Sequence, residues 1–536
     1  MKTYSLAKVI RHLAATNGGY IAGYVILGIL IPICWVFSPY TFSMLIDQKK
    51  IFSIYVVIPV ALFLLGYAFE YCCDALDYYF TEKINYTVAA WSTERLFTSF
   101  RRRFANSKMT ESINTINKLS QTCTFAFRDG RIFVMGLIFA AIIGTSFLWW
   151  IHKSLGIFLL VGVIALLLLV ALFMYRSVKL TAKTDQTRDH LLEQISDTLI
   201  NMPSVFAGNQ VDNEMHRVQN GYKDLENTNK SAERQVQTVR IGINLFYLFI
   251  VAGLFLISAF LYRKGELSAG ILATVVMVTM YMIYNFDELS INSGNLIRNI
   301  GQMLQAQTFL NELKEKEEAN PDGTSVEPPA DGGIVLDKLT VVVGDNVVLH
   351  DLTLNIAPGE VILLTGRNGS GKSTLLKTIF GGLPYTGSML FGGYEIRDMQ
   401  AAVLRSNITY VPQVPHLFHR TVYENISYGN GATRDEVVLL LDKFGVDFVG
   451  LDDIIGNSHL SGGQQQLIYL LRAYLQKNSK LILLDEPTSA LDTHTRDKAM
   501  RLLSTLMADR TAIIVTHDSD LSQYSTREIK LGDVLE

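Results

Sequence analysis

Two short runs of small residues in this 536-residue chain are suited to holding phosphate. The first, "GRNGSGKST" at 366–374, fits the spacing G-x-x-x-x-G-K-[ST] through Gly366, Gly371, Lys372 and Ser373. Glycines let consecutive backbone N–H groups wrap the phosphates, the lysine reaches the β- and γ-phosphates, and the serine hydroxyl ligates Mg²⁺. Asn368, Gly369, Ser370 and Thr374 complete the loop and count with it as ATP-binding residues. The second run, "HLSGGQQQ" at 459–466, has no lysine and no acid. Its Ser461, Gly462 and Gly463 still offer N–H groups and a hydroxyl ahead of an apolar run at 467–475 that reads as a helix, and a helix N-terminus is an anion site. A cradle without lysine or metal ligands is half a site. A third stretch, "LILLDEPTSALD" at 481–492, is an apolar strand ending in two acids. Asp485 at its tip is placed to hold Mg²⁺. Glu486 beside it is placed to polarise an attacking water as general base.

The elements that must position these residues alternate. Strand-like runs at 334–343, 347–349, 361–365, 408–411, 481–484 and 512–515 are interleaved with helical patterns, which predicts an α/β sheet of parallel strands. The phosphate loop therefore sits between a buried strand and a helix start. Ahead of this module lies "NELKEKEEANPDGTSVEPPADGG" at 311–333, charged and then rich in Pro and Gly, which reads as a linker.

The N-terminal part is different. The chain is 49% hydrophobic, with a mean hydropathy of +0.24 that is high for a soluble protein, and residues before about 330 carry nearly all the excess. Apolar stretches at 19–46, 51–69, 132–151, 154–175, 241–262 and 267–286 each approach or exceed the roughly 20 residues a membrane-spanning helix needs. The division predicted is a membrane domain over 1–310, a linker over 311–333 and a nucleotide-binding domain over 334–536. The first stretch is too long for a signal peptide and lacks a small-residue cleavage site, so it reads as a retained span. Nine Lys and Arg fall in 83–131 and nine in 176–240, against Lys49, Lys50, Lys153, Arg263 and Lys264 on the other side. That asymmetry predicts a cytosolic N-terminus, and six spans return the C-terminus to the cytosol. The long segments 80–131 and 176–240 read as helices that continue beyond the membrane. A formal net charge of -3 gives no basic excess for nucleic acid. The four cysteines, Cys34, Cys72, Cys73 and Cys123, suit neither a disulfide framework nor a metal site.

Together these residues resemble an ATP-binding cassette (ABC) transporter, a half-transporter of the exporter type: membrane all-α with six helices and cytosolic extensions, plus an α/β P-loop NTPase domain. "LSGGQ" at 460–464 is the signature of that family. The resemblance implies that Ser461, Gly462, Gly463 and Gln464 bind the γ-phosphate of the nucleotide on a partner's P-loop, so two chains close each site. It implies that Gln413 in "YVPQ" contacts Mg²⁺ and water, that Asp492 in "SALD" crosses the dimer interface, and that His517 in "IIVTHD" contacts the γ-phosphate. The Mg²⁺ set is then Ser373, Gln413 and Asp485, and a homodimer has two complete sites. Segments near 98–112 and 203–215 would be coupling helices. The match departs at three places. Val343 stands where an adenine-stacking aromatic is usual, Leu467 where an arginine is usual, and the segment before the signature is short.

Glu70, Asp74 and Asp77, spaced four and three, share a helix face, and Asp287 and Glu288 end the sixth span at similar depth. Carboxylates near a membrane interior are candidate contacts for a cationic cargo. The competing reading pairs them on cytosolic extensions, with Arg128 and Arg131 nearby, and is the one favoured here. The function expected is ATP-driven export of an amphipathic small molecule, peptide or lipid by a dimer in the bilayer, with a bacterial inner membrane as the site. The alternatives are an importer on the same architecture, or an ATP-gated channel or regulatory membrane protein. Six spans exclude a soluble ATPase.

Overall fold

The computed structural model describes residues 4–48, 54–102, 109–319, 321–456, 460–516 and 519–531. The chain divides into two compact units, Met1–Leu96 with Met109–Lys314, and Phe97–Lys108 with Glu315–Glu536.

The first unit is helical. A short α1 (Leu6–Thr16) precedes α2 (Gly18–Gln48), α3 (Ile54–Ser99), α4 (Met109–Ile132), a π-helical stretch Phe133–Phe139, α5 (Ala140–Ile151), α6 (Lys153–Ile200), α7 (Met202–Ala207), α8 (Val211–Arg263) and α9 (Ala269–Ala319). Among the described residues, six helical segments in it are long and apolar enough to cross a membrane. Pro32, Pro39 and Pro59 lie inside helices, where Ser38 Oγ donates to the Pro59 carbonyl at 2.9 Å and ties α2 to α3. Small residues set how closely helices approach. A Cβ at Gly253 of α8 would fall 2.2 Å from the Phe158 ring of α6, and one at Gly28 of α2 would fall 2.6 Å from Phe139. The α6–α8 pair buries Leu155, Leu159, Val163, Leu166 and Val170 against Ile243, Ile250 and Leu254, a stripe recurring every three or four residues. Of the segments expected to be helical, 80–131 is helical to Ser99 and again from Met109, and 176–240 is helical in α6, α7 and α8. Helix α9 also absorbs the first nine residues of the expected linker, because "NELKEKEEA" is made of strong helix formers.

The second unit carries two main sheets. Strands β1 (Ile334–Val343), β2 (Asn346–Ile356), β4 (Thr386–Phe391) and β5 (Tyr394–Glu395) form an antiparallel sheet in the order β2-β1-β4-β5. Strands β3 (Val361–Thr365), β6 (Ile408–Val411), β9 (Leu481–Asp485), β10 (Thr511–Val515) and β11 (Arg527–Lys530) form a parallel sheet in the order β11-β3-β10-β9-β6. A two-stranded antiparallel pair, β7 (Arg420–Thr421) and β8 (Ile454–Ile455), stands apart. Helices α10 (Lys372–Ile379), α11 (Ala401–Ser406), α12 (Val422–Ile426), α13 (Arg434–Phe444), α14 (Gly462–Tyr474), α15 (Thr493–Met507) and α16 (Ser519–Ser522) pack around them. The expectation of parallel strands alone is therefore corrected: β1 and β2 pair across a tight turn, with Val343 opposite Asn346. The expected strand at 347–349 runs on to Ile356, since "HDLTLN" places only alternate apolar residues inward and carries a weaker signal than a buried run. Strands β9 and β10 are buried at every residue, which is why sequence placed them well.

Candidate functional site

The site is assembled where β3, β6, β9 and β10 end. Strand β3 delivers the chain into a loop in which Gly366, Gly369 and Gly371 have φ of 146°, 83° and 93°. Gly371 also has no room for a side chain: its Cβ would lie 2.7 Å from Leu349. The loop is thus lined by backbone and ends on the first turn of α10. Lys372 is only 7% exposed, and its ammonium donates to the carbonyls of Gly366 at 2.9 Å and Arg367 at 3.0 Å. Ser370 Oγ is buried without a hydrogen-bond partner among the described residues. A buried cation resting on carbonyls, an orphaned hydroxyl and a Gly-lined turn are the donor set a polyphosphate requires, so the residues fit ATP. Asn368 is exposed on the rim, and the Thr374 carbonyl accepts from Thr378 within α10.

The acids converge on this loop. Asp485, at the end of β9, is 2% exposed and accepts from Ser373 Oγ at 2.9 Å. Burial raises its carboxyl above the ordinary value, opposed by the Ser373 hydrogen bond and by Lys377 and Lys372. Glu486 follows with φ of 48°, a left-handed conformation that is uncommon for a residue with a Cβ and costs about 1–3 kcal/mol. That turn is pinned by its N–H donating to the Val515 carbonyl at 2.7 Å. Its carboxylate accepts from Gln413 Nε2 at 2.9 Å. Gln413 and Glu486, 73 positions apart in sequence, are therefore neighbours.

The second cradle is a helix start. Ser461 caps α14, its Oγ accepting from the Gln464 N–H at 3.2 Å, while the Ser461 N–H donates to Gln464 Oε1 at 3.0 Å. The helix expected from 467 begins at Gly462, because S-x-x-Q is itself a capping box. Gly463 lies against the 488–492 loop, where an added Cβ would be 3.0 Å from the Ala490 carbonyl. Asp492 caps α15 through Thr495, at 2.9 Å to its N–H and 3.1 Å to its hydroxyl. The side chains of Ser461 and Gln464 form the capping box between them, and the Ser461 carbonyl accepts from the Gln465 N–H at 2.9 Å. His517 lies outside the described residues.

The departures have local explanations. Leu467 is fully buried in the core under α14, a position that accepts an apolar side chain without cost. Val343 is half-buried at the end of β1 and packs on the other core cluster. Of the expected coupling segments, 103–108 lie outside the described residues, and 202–207 form the short α7. Arg102 clusters with the second unit, donating to the carbonyls of Ile396, Arg397 and Met399. Arg102 lies within the expected coupling segment 98–112, and its carbonyl partners leave no motif in the sequence.

In the first unit the acids separate. Asp77 makes an ion pair with Arg131 at 2.5 Å and accepts from Tyr24 Oη at 2.8 Å, as the paired reading expected. Glu70, Asp74 and Glu288 instead line a cavity, and Asp287 is half-buried. All four cysteines are free thiols, and no group of His, Cys, Asp and Glu suited to a metal occurs among the described residues.

Fold and site define a P-loop nucleotide-binding unit in one chain with a bundle of membrane-length helices. Residues 349–489, within the second unit, match the ABC transporter family model. The chain is similar to the "Beta-(1-->2)glucan export ATP-binding/permease protein NdvA" of Brucella suis, at 29% identity over 63% of this chain and 57% of that one. It is similar to the ATP-dependent lipid A-core flippase of Methylobacillus flagellatus, at 31% identity over 54% of this chain and 51% of that one. The chain spans little more than half the length of these relatives. Among solved structures, a bacterial Atm1-family ABC exporter with ATP bound shares the fold, with a TM-score of 0.81, 20% identity, and coverage of 96% of this chain and 94% of that one.

Proposed function

We propose that this protein is an ATP-driven transporter that exports an amphipathic small molecule, peptide or lipid from the cytosol as a dimer. The observation that carries the reading is the convergence of Lys372, Ser373, Asp485, Glu486 and Gln413 on one glycine-lined loop, in a chain with six membrane-length helices. Lys372 and Ser370, with the N–H groups of 366–374, would bind the phosphates. Ser373, Asp485 and Gln413 would hold Mg²⁺, which when bound supplies Lewis-acid polarisation of the transferred phosphoryl group. Glu486 would take the proton of the attacking water, oriented by its hydrogen bond to Gln413. His517 is assigned to the γ-phosphate on the resemblance alone.

Ser461, Gly462, Gly463 and Gln464 present a capped helix start with no lysine or metal ligand beside it. That supports a half-site completed by another chain's P-loop, and the full set of residues in one chain supports a homodimer, with Asp492 at the interface. The domains would be 1–310 and 334–536, joined by 311–333 with its first nine residues extending α9, in a bacterial inner membrane with both termini cytosolic. The relatives named above are described as exporters and flippases, which agrees with export.

The test is Mg²⁺-dependent ATP hydrolysis by the purified protein in lipid nanodiscs, with Glu486→Gln alongside. Hydrolysis by the wild type that vanishes in the variant is the expected result. A dimeric wild type that binds ATP but does not hydrolyse it would overturn the reading of a self-sufficient engine.

A further inference from the structure

The first unit holds a cavity of about 660 Å³ lined by residues of α2, α3 and α9, within the range of about 300–1,000 Å³ that takes a drug-sized molecule. A smaller chamber of about 220 Å³ shares Glu70, Tyr281 and Tyr284 with it. The larger chamber is walled by aromatic rings. Trp35 stacks on Tyr281 at 5.7 Å and 7°, and meets Phe63 at 5.1 Å and Tyr67 at 5.2 Å edge to face. Phe63, Tyr67 and Glu70 are spaced four and three along α3, so one helix face brings two rings and a carboxylate to the same wall. The Trp35 indole N–H donates to Glu70 Oε1 at 3.0 Å, which fixes that carboxylate at the junction of the chambers.

The smaller chamber adds Asp74 and Glu288. Its cation, Arg131, is already engaged by the ion pair with Asp77 and by Cys73 Sγ at 3.2 Å. Three carboxylates thus line the chambers against one arginine, whose ion pair is with Asp77. The wall is also irregular here: Met135 and Gly136, within the π-helical stretch, contribute to it. A π turn inside a long helix is a departure frequently found at functional positions.

The chemistry selects a cation. Helices spend their backbone N–H groups internally, so a site made only of membrane helices has few donors for an anion. The one indole N–H that the large chamber's cage provides is taken by Glu70. The wall also carries the neutral hydroxyls of Tyr67, Tyr281 and Tyr284, but the formal charge among the large chamber's lining residues is the Glu70 carboxylate, costly in a membrane interior until a cation or water neutralises it, and ring faces attract cations through their quadrupole. We propose that this cavity binds an amphipathic organic cation, its apolar body among Trp35, Phe63, Tyr67 and Tyr281 and its charge at Glu70. That the cation is cargo rests on the transport reading above; that it binds does not.

The experiment measures binding of radiolabelled tetraphenylphosphonium, a lipophilic monocation, to the nucleotide-free protein in nanodiscs, with tetraphenylborate as the matched anion. Saturable binding of the cation and none of the anion is expected. Glu70→Gln, which keeps the shape and the acceptor for Trp35, should weaken the cation by about tenfold or more, and Glu70→Asp should restore part of it. Asp74→Asn should weaken it by a smaller factor. Equal binding of both ions, no saturable binding, or unchanged affinity in Glu70→Gln would overturn the site. ATP hydrolysis by the same preparation separates the two readings. Saturable cation binding by a protein without hydrolysis upholds the site and counts against the pump, whereas hydrolysis without saturable binding overturns the site alone.

Discussion

Asp485 and Glu70 are both carboxylates held by one side-chain donor, Ser373 in the first case and Trp35 in the second, yet they stand in opposite kinds of site. Asp485 ends a strand, where the chain turns and the adjoining glycine-rich loop leaves backbone N–H groups free. Glu70 sits on a long helix whose N–H groups are spent, among ring faces. A unit that mixes strands, turns and helix starts can present its backbone to an anion. A unit of membrane helices must recognise with side chains alone, and aromatics and acids suit a cation. Glycine follows the same division. Gly371 supplies a left-handed turn at φ 93°, whereas Gly253 is helical and serves only to admit the Phe158 ring.

The largest effect is expected where the anion site does its chemistry. Glu486→Gln should lower hydrolysis by about 10²–10⁴-fold, the usual reach of a general base, while nucleotide binding persists. Phosphate release and nucleotide binding measured together check it, and a variant that loses both would show the carboxylate to be structural.

The two glycines should fail differently. Gly371→Ala places a Cβ at positive φ and 2.7 Å from Leu349, so it should cost about 1–3 kcal/mol, read chiefly as weaker ATP binding. Gly253→Ala drives a Cβ into Phe158 and should cost about 1–3 kcal/mol of stability, with ATP affinity unchanged and partial rescue by Phe158→Leu. Isothermal titration with nucleotide and thermal unfolding of both variants decide whether shape and packing are separable in this way.

Asp485 sharpens the contrast through stability. Its carboxyl is raised by burial, so the folded unit binds that proton more tightly than the unfolded chain does. Stability is therefore lost as pH rises from the unfolded value through the folded one, and the cost is complete above it. Asp485→Asn should raise the stability of the nucleotide-free protein by about 0.5–2 kcal/mol at neutral pH, with the gain vanishing in acid, while hydrolysis is lost. Unfolding curves at two pH values are the check. The smallest change is local: Thr433→Ala removes the capping box of α13 and should cost about 1 kcal/mol without altering binding or hydrolysis.

Much of the candidate site could be read from sequence because its parts are local. Gly366–Thr374, Asp485 with Glu486, and Ser461–Gln464 are each defined within a few residues, by backbone needs that only certain residue types meet. The six membrane helices were equally legible, since hydrocarbon thickness fixes the length of an apolar run. Strands β4, β5 and β11 were not, because short or half-exposed strands leave little periodic signal.

What sequence alone determined, then, is the inventory: a phosphate loop, its acids, a capped helix start and six spans. Only the tertiary structure decided which distant groups meet. It placed Gln413 on Glu486 and gave Arg131 to Asp77 while leaving Glu70 at an aromatic cavity. Glu70, Asp74 and Asp77 share one helix face and looked equivalent. Their fates differ because pairing depends on what α2, α4 and α9 bring to that face, and a one-dimensional pattern fixes the direction of a side chain but not its neighbours.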